Sequence, residues 1–80
     1  MKVELSGPLR AAAGGLEAID LEGSTIRELL QRLVESYPDM QGQLDQGIAV
    51  SIDGTIYRDN GDVRIPADSE VFLLPRIAGG

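Results

Sequence analysis

The chain has no cysteine and no histidine among its 80 residues. The first absence excludes disulfides, thiolate metal sites and thiol nucleophiles. The second removes the usual general base near neutral pH and the commonest metal ligand. Lysine occurs once, at Lys2, so conventional catalysis would have to rest on carboxylates, tyrosine, serine or that single amine. No apolar run approaches the ~20 residues that a membrane-spanning helix needs, so no membrane partner is expected. The start, Met1-Lys2-Val3-Glu4, lacks the apolar core of a signal peptide, and a cytoplasmic location is the expectation.

What is present is an acidic globular composition. Thirteen acids stand against seven bases, for a net charge of −6. Such a chain repels a phosphate backbone, so nucleic acid is not an expected partner. The same charge steers it toward a basic partner surface. The apolar share of 42% and charged share of 25% are those of an ordinary folded domain, and the length allows one domain only.

Hydrophobic periodicity gives the element order. Met1, Val3 and Leu5 alternate with Lys2, Glu4 and Ser6, the pattern of a half-buried strand, and Gly7-Pro8 breaks it. Residues 9–15 are ambiguous and end on the turn pair Gly14-Gly15. Residues 16–22 read as a second strand with Ile19 and Leu21 inward. The clearest element is a helix over residues 25–36. Ile26, Leu29, Leu30, Leu33, Val34 and Tyr37 fall on one stripe. Thr25 and Glu28 have the spacing of a capping box, and Pro38 ends the helix. Glu28 and Arg32 stand one turn apart on the polar face. Residues 39–47 read as loop. Residues 48–53 alternate again, with Ile48, Val50 and Ile52 inward, before the tight turn Asp53-Gly54 and the short strand Thr55-Ile56-Tyr57. Asn60-Gly61 marks another turn, and Val63 and Ile65 suggest a short edge segment. Val71-Phe72-Leu73-Leu74 is an apolar run bounded by Ser69 and Pro75, consistent with a strand buried on both faces. It belongs at the sheet centre beside the first strand. The expected fold is α+β, a β-grasp with a mixed four- to five-stranded sheet packed on one main helix.

Side-chain chemistry is sparse. Asp53, Asp59, Asp62 and Asp68 lie in or near turns, where aspartate ordinarily bonds the local backbone. Asp59-Asn60-Gly61-Asp62 lacks the ligand spacing of a calcium loop, and Gly14-Gly15 lacks the lysine and hydroxyl residue of a phosphate loop. Neither a metal nor a stably bound cofactor is expected. Tyr37 reads as a core contact of the helix rather than a catalytic phenol.

The unusual feature is the end of the chain. Gly79-Gly80 follows the apolar strand after only Pro75-Arg76-Ile77-Ala78. Residues 76–80 reach about 16 Å when extended, and glycine can thread a narrow channel. Residues 1–75 are therefore expected to form the domain and residues 76–80 a flexible tail that carries the Gly80 carboxylate well away from it.

Glu70-Val71-Phe72-Leu73-Leu74-Pro75-Arg76-Ile77-Ala78-Gly79-Gly80 resembles the closing pattern of the MoaD/ThiS family of ubiquitin-like sulfur carriers. The resemblance extends over the chain, through Leu9-Arg10, the helix from Thr25 to Tyr37-Pro38, and Val50-Ser51-Ile52-Asp53-Gly54. It implies a carrier rather than an enzyme. An E1-like adenylyltransferase of the MoeB/ThiF kind would use ATP to adenylate the Gly80 carboxylate. A sulfur donor, a desulfurase or a rhodanese, would convert the adenylate to a thiocarboxylate. An acceptor such as the large subunit of molybdopterin synthase would then take the sulfur for molybdenum cofactor synthesis. The missing cysteine agrees, since sulfur must then ride on the chain end. The resemblance makes Gly80 the reactive residue and Gly79 the access residue. Ala78, Ile77, Arg76 and Leu74 become partner contacts, with Leu74 equally open to a core role. Pathways to thiamine, to cysteine or methionine and to siderophores remain open. So do a ubiquitin-like protein modifier and an interaction module with an inert tail.

Overall fold

Val71–Pro75 (β5) is the structural centre of the domain. In the computed structural model, which describes residues 1–58 and 60–76, this strand lies between Lys2–Leu5 (β1) and Ile48–Ile52 (β3). Ala18–Asp20 (β2) and Thr55–Tyr57 (β4) form the edges, giving the order β2-β1-β5-β3-β4. β5 pairs parallel to β1 and antiparallel to β3, while both edge strands pair antiparallel. This is the mixed sheet expected of a β-grasp, with five strands.

The helices are Gly7–Ala12 (α1), Ile26–Ser36 (α2) and Met40–Gln46 (α3). Each sends apolar side chains into one core. Leu9 of α1, Leu29 and Leu33 of α2 and Met40 of α3 are fully buried against Val3, Leu5, Val50 and Leu73. Fully burying one such side chain is worth about 1.5–3 kcal/mol before ordering costs are counted. Leu30, Val34 and Tyr37 complete the predicted stripe of α2 as partly buried contacts.

The start of α2 follows its sequence closely. The Thr25 hydroxyl accepts a hydrogen bond from the Glu28 N–H at 3.2 Å. The Glu28 carboxylate accepts from the Ser24 N–H at 3.2 Å, one residue upstream of the expected box partner. Glu28 and Arg32 approach at 3.8 Å across one turn.

Three expectations are corrected. Residues 39–47 are not loop: α3 occupies most of them, because Met40 and Leu44, four residues apart, both turn to the core. Gly42 and the polar residues around it hid that spacing. The segment holding Val63 and Ile65 is not a sheet edge. Its one bridge joins Arg64 to Thr25, and the amides of Ile65 and Ile26 bond the carbonyls of Ser24 and Val63 at 2.9 and 3.0 Å. It pins the first turn of α2. Finally, β5 is not buried on both faces: Val71 and Leu73 are buried, whereas Phe72 and Leu74 are only half-buried.

Candidate functional site

Alternation along the strands sorts the sheet into two faces. Val3, Leu5, Val50, Ile52, Val71 and Leu73 point to the helices and are buried. Their neighbours point the other way, with Ala49 buried, Phe72 and Leu74 half-buried and Ile56 exposed. Register places Phe72 between Glu4 and Ser51, and Leu74 beside Ala49. Ser51 in turn pairs with Ile56 of β4, which is 54% exposed. Half-buried Phe72 and Leu74 and exposed Ile56, with the buried Ala49 among them, thus give the β5–β3–β4 half of this face its apolar character. The β1–β2 half is charged, with Lys2 opposite Asp20 and Glu4 two pairs further, opposite Ala18. A partly exposed apolar patch bordered by charge is the form of a docking surface.

β5 ends at Pro75, followed by Arg76. The Arg76 N–H donates to the Gly47 carbonyl at 2.9 Å, so pairing with the β3 side persists one residue past β5. Gly47 has φ +108°, and a Cβ built there would lie 2.9 Å from Cδ of Arg76. Only glycine lets the arginine stem lie flat across this backbone.

Of the candidate site residues, Leu74 lies on the open face outside the buried core, half-buried. Arg76 is exposed at the end of β5. Ile77, Ala78, Gly79 and Gly80 lie outside the described residues, as does Asp59 among the turn aspartates. Phe72, Ala49 and Ile56 were not singled out in the sequence. Their common face becomes visible only when β5 is set between β1 and β3 and the register is known. Among the described residues no cluster of acidic side chains has the form of a metal site, and no helix is long and apolar enough to cross a membrane.

Comparison with known proteins decides the family. The model described as ThiS family matches residues 3–80. The chain belongs to the ThiS family. This is a family of small ubiquitin-like sulfur carriers, and the match spans both the domain and the glycine pair. A search of curated proteins finds no match. Among solved structures, the fold is similar to that in the BexX/CysO complex of Amycolatopsis orientalis. There the TM-score is 0.76 at 18% identity, covering 99% of this chain and 98% of the other. Small archaeal modifier protein 1 from Haloferax volcanii is similar at 26% identity with a TM-score of 0.66, covering 99% and 97%. Its namesake from Methanosarcina acetivorans is also 26% identical, with a TM-score of 0.71, covering 99% and 94%. The ThiS-family fold is therefore the β-grasp that the strand order indicated.

Proposed function

We propose that this ThiS-family protein carries sulfur as a thiocarboxylate on Gly80. The observation that carries the reading is the family match running through residues 79–80, on a chain with no cysteine to hold sulfur elsewhere. An E1-like enzyme joins the carboxylate to AMP from ATP, with release of pyrophosphate. A persulfide sulfur supplied by a desulfurase or rhodanese then attacks the activated carbonyl carbon, and AMP leaves. A thiol then attacks the donor-side sulfur of the resulting acyl disulfide, forming a disulfide with the donor's cysteine and releasing the thiocarboxylate. The protein itself holds no cofactor; ATP belongs to the activating enzyme.

In this reading the open face carrying Phe72, Leu74 and Ile56 docks the partner while the chain end enters its active site. Gly79 and Ala78 give the end a narrow profile, and Ile77, Arg76 and Leu74 contact the channel mouth. Molybdopterin synthesis is the pathway we assign first, with the protein as the small subunit beside a larger catalytic one. The same chemistry serves thiamine, cysteine or methionine and siderophore synthesis. Reconstitution with each acceptor in turn distinguishes them: sulfur transfer to the molybdopterin synthase large subunit supports the assignment, and transfer only to another acceptor replaces it.

One observation favours a second reading. The two similar archaeal proteins, at 26% identity over nearly the whole chain, are called modifiers. A modifier would use the same activated glycine to acylate lysines of other proteins. Higher-mass conjugates that vanish on deletion of Gly80 are the result that reading requires.

A further inference from the structure

Asn60 is the only asparagine in the chain, and a glycine follows it. The sulfur-carrier reading makes no use of this pair. A glycine after asparagine is the least hindered setting for one reaction, attack of the next backbone nitrogen on the side-chain amide carbon, because no Cβ stands in the way.

The fold leaves the pair open to that reaction. Asn60 is exposed, and its side-chain amide bonds no other described residue. A concavity of about 400 Å³, lined by Arg27, Asn60, Gly61, Asp62 and Val63, brings water to the peptide link. The turn Asp53-Gly54 is held differently. There the Asp53 N–H donates to the Glu70 carbonyl at 2.9 Å, and the Asp53 carboxylate accepts from the Glu70 N–H at 2.8 Å.

The same pair lies where the chain pins α2. The Asn60 carbonyl accepts from the Val63 N–H at 3.1 Å, and the Gly61 carbonyl accepts from the Arg27 N–H at 2.9 Å. The Arg27 guanidinium rests over Gly61, 3.1 Å from where a Cβ would stand, and pairs with Asp62.

We propose that Asn60 is a modification site whose conversion loosens the first turn of α2. The Gly61 backbone nitrogen loses its proton and bonds Cγ of Asn60. The Cγ–Nδ2 bond breaks, ammonia leaves, and a cyclic imide closes. Water then opens the imide at either carbonyl. Opening at the side-chain carbonyl leaves aspartate. Opening at the backbone carbonyl leaves isoaspartate, with the main chain running through Cβ and Cγ. The balance is water in and ammonia out, with no oxidant or reductant. Either product sets a new carboxylate beside the Arg27–Asp62 pair. Isoaspartate also lengthens the backbone just before Gly61 and turns the carbonyl that held the Val63 N–H into a carboxylate on a branch. The hydrogen bonds of Arg27 and Val63 then lose their geometry, while Leu29 and Leu33 keep α2 in the core.

The test uses the chain alone, without ATP, sulfur donor or partner, so its outcome is independent of the sulfur chemistry. The folded chain is kept in mildly alkaline buffer beside the same chain in urea. Intact mass and peptide mapping follow the exchange of NH2 for OH. Conversion at Asn60 in the folded chain is expected at a rate within about tenfold of that in urea, with hydroxylamine cleaving the imide between residues 60 and 61. Asn60→Ser should show neither. In the converted chain, amide exchange should quicken at Arg27 and Val63 and stay unchanged at Val71 and Leu73. A folded chain that keeps its mass while the urea sample converts would overturn the proposal, since the turn then protects Asn60. So would cleavage confined to Asp53-Gly54, or converted chains whose Arg27 and Val63 amides exchange as before.

Discussion

Gly47 and Gly42 lie five residues apart and behave oppositely. Gly47 sits at φ +108° with Arg76 packed over it, whereas a Cβ at Gly42 meets nothing within 4 Å. Gly47→Ala is expected to destabilise the fold by about 1–3 kcal/mol, the usual cost of forcing a side chain into that conformation. Gly42→Ala, inside α3, is expected to stabilise it by about 0.5–1 kcal/mol through helix propensity. Urea denaturation of both variants checks the pair, and equal effects would contradict the geometry. At this scale the capping of α2 was legible in part: the Thr25 hydroxyl takes the Glu28 amide as expected, while the Glu28 carboxylate takes the Ser24 amide rather than that of Thr25. The role of Gly47 was not, since it depends on Arg76, a neighbour in space but distant in sequence.

At the scale of elements, the strongest patterns were the readable ones. The stripe of α2 and the alternation of β1 and β3 repeat over several turns or pleats, so the period stands out. α3 escaped because its apolar content is two residues, Met40 and Leu44, amid glutamines and a glycine. Its place in the core is nevertheless firm: Met40 is fully buried, and Met40→Ala should cost about 2–5 kcal/mol in the same denaturation experiment. A cost near zero would mean that α3 is a detachable loop. β5 was located correctly at the centre but misjudged in burial, because four successive apolar residues do not show which of them meet a helix. The sequence marked the chain end and Leu74 as candidates, but it did not show that Phe72, Ala49 and Ile56 share a face with Leu74. If that face docks the activating enzyme, Ile56→Asp should weaken binding at least about tenfold, the minimum for a contact near the centre of an interface. Its 54% exposure predicts a stability change within about 1 kcal/mol. Titration calorimetry beside thermal denaturation separates the two effects, and unchanged affinity would place docking elsewhere.

For the whole molecule, charge and the chain ends matter together. The Met1 ammonium bonds Asp20 at 2.9 Å and Glu22 at 3.2 Å, and these bonds, that to Asp20 foremost, raise its pKa above the ordinary 8.0. A group whose folded pKa is raised favours folding fully below its unfolded pKa. That contribution fades as pH climbs through the folded value. In a chain beginning at Met1, stability should therefore decline above about pH 8 more steeply than in the Asp20→Asn/Glu22→Gln variant. Parallel slopes would show that the pairs contribute nothing, as exposed ion pairs often do. The two-layer β-grasp was legible because one amphipathic helix and one central apolar strand leave few alternatives. The concavity between α2 and α3 was not, because the residues lining it, Arg27, Glu35, Asp45 and Arg58 among them, are scattered along the chain.

The central claim is that sulfur rides on Gly80, and intact mass measures it directly. The chain is weighed before and after incubation with an E1-like enzyme, ATP and a persulfide donor, followed by reduction. The account predicts a gain equal to exchanging one oxygen for one sulfur, absent from a chain lacking Gly80 whose melting temperature is unchanged. A chain that stays at its original mass with its cognate activating enzyme, or gains the sulfur without Gly80, would contradict it.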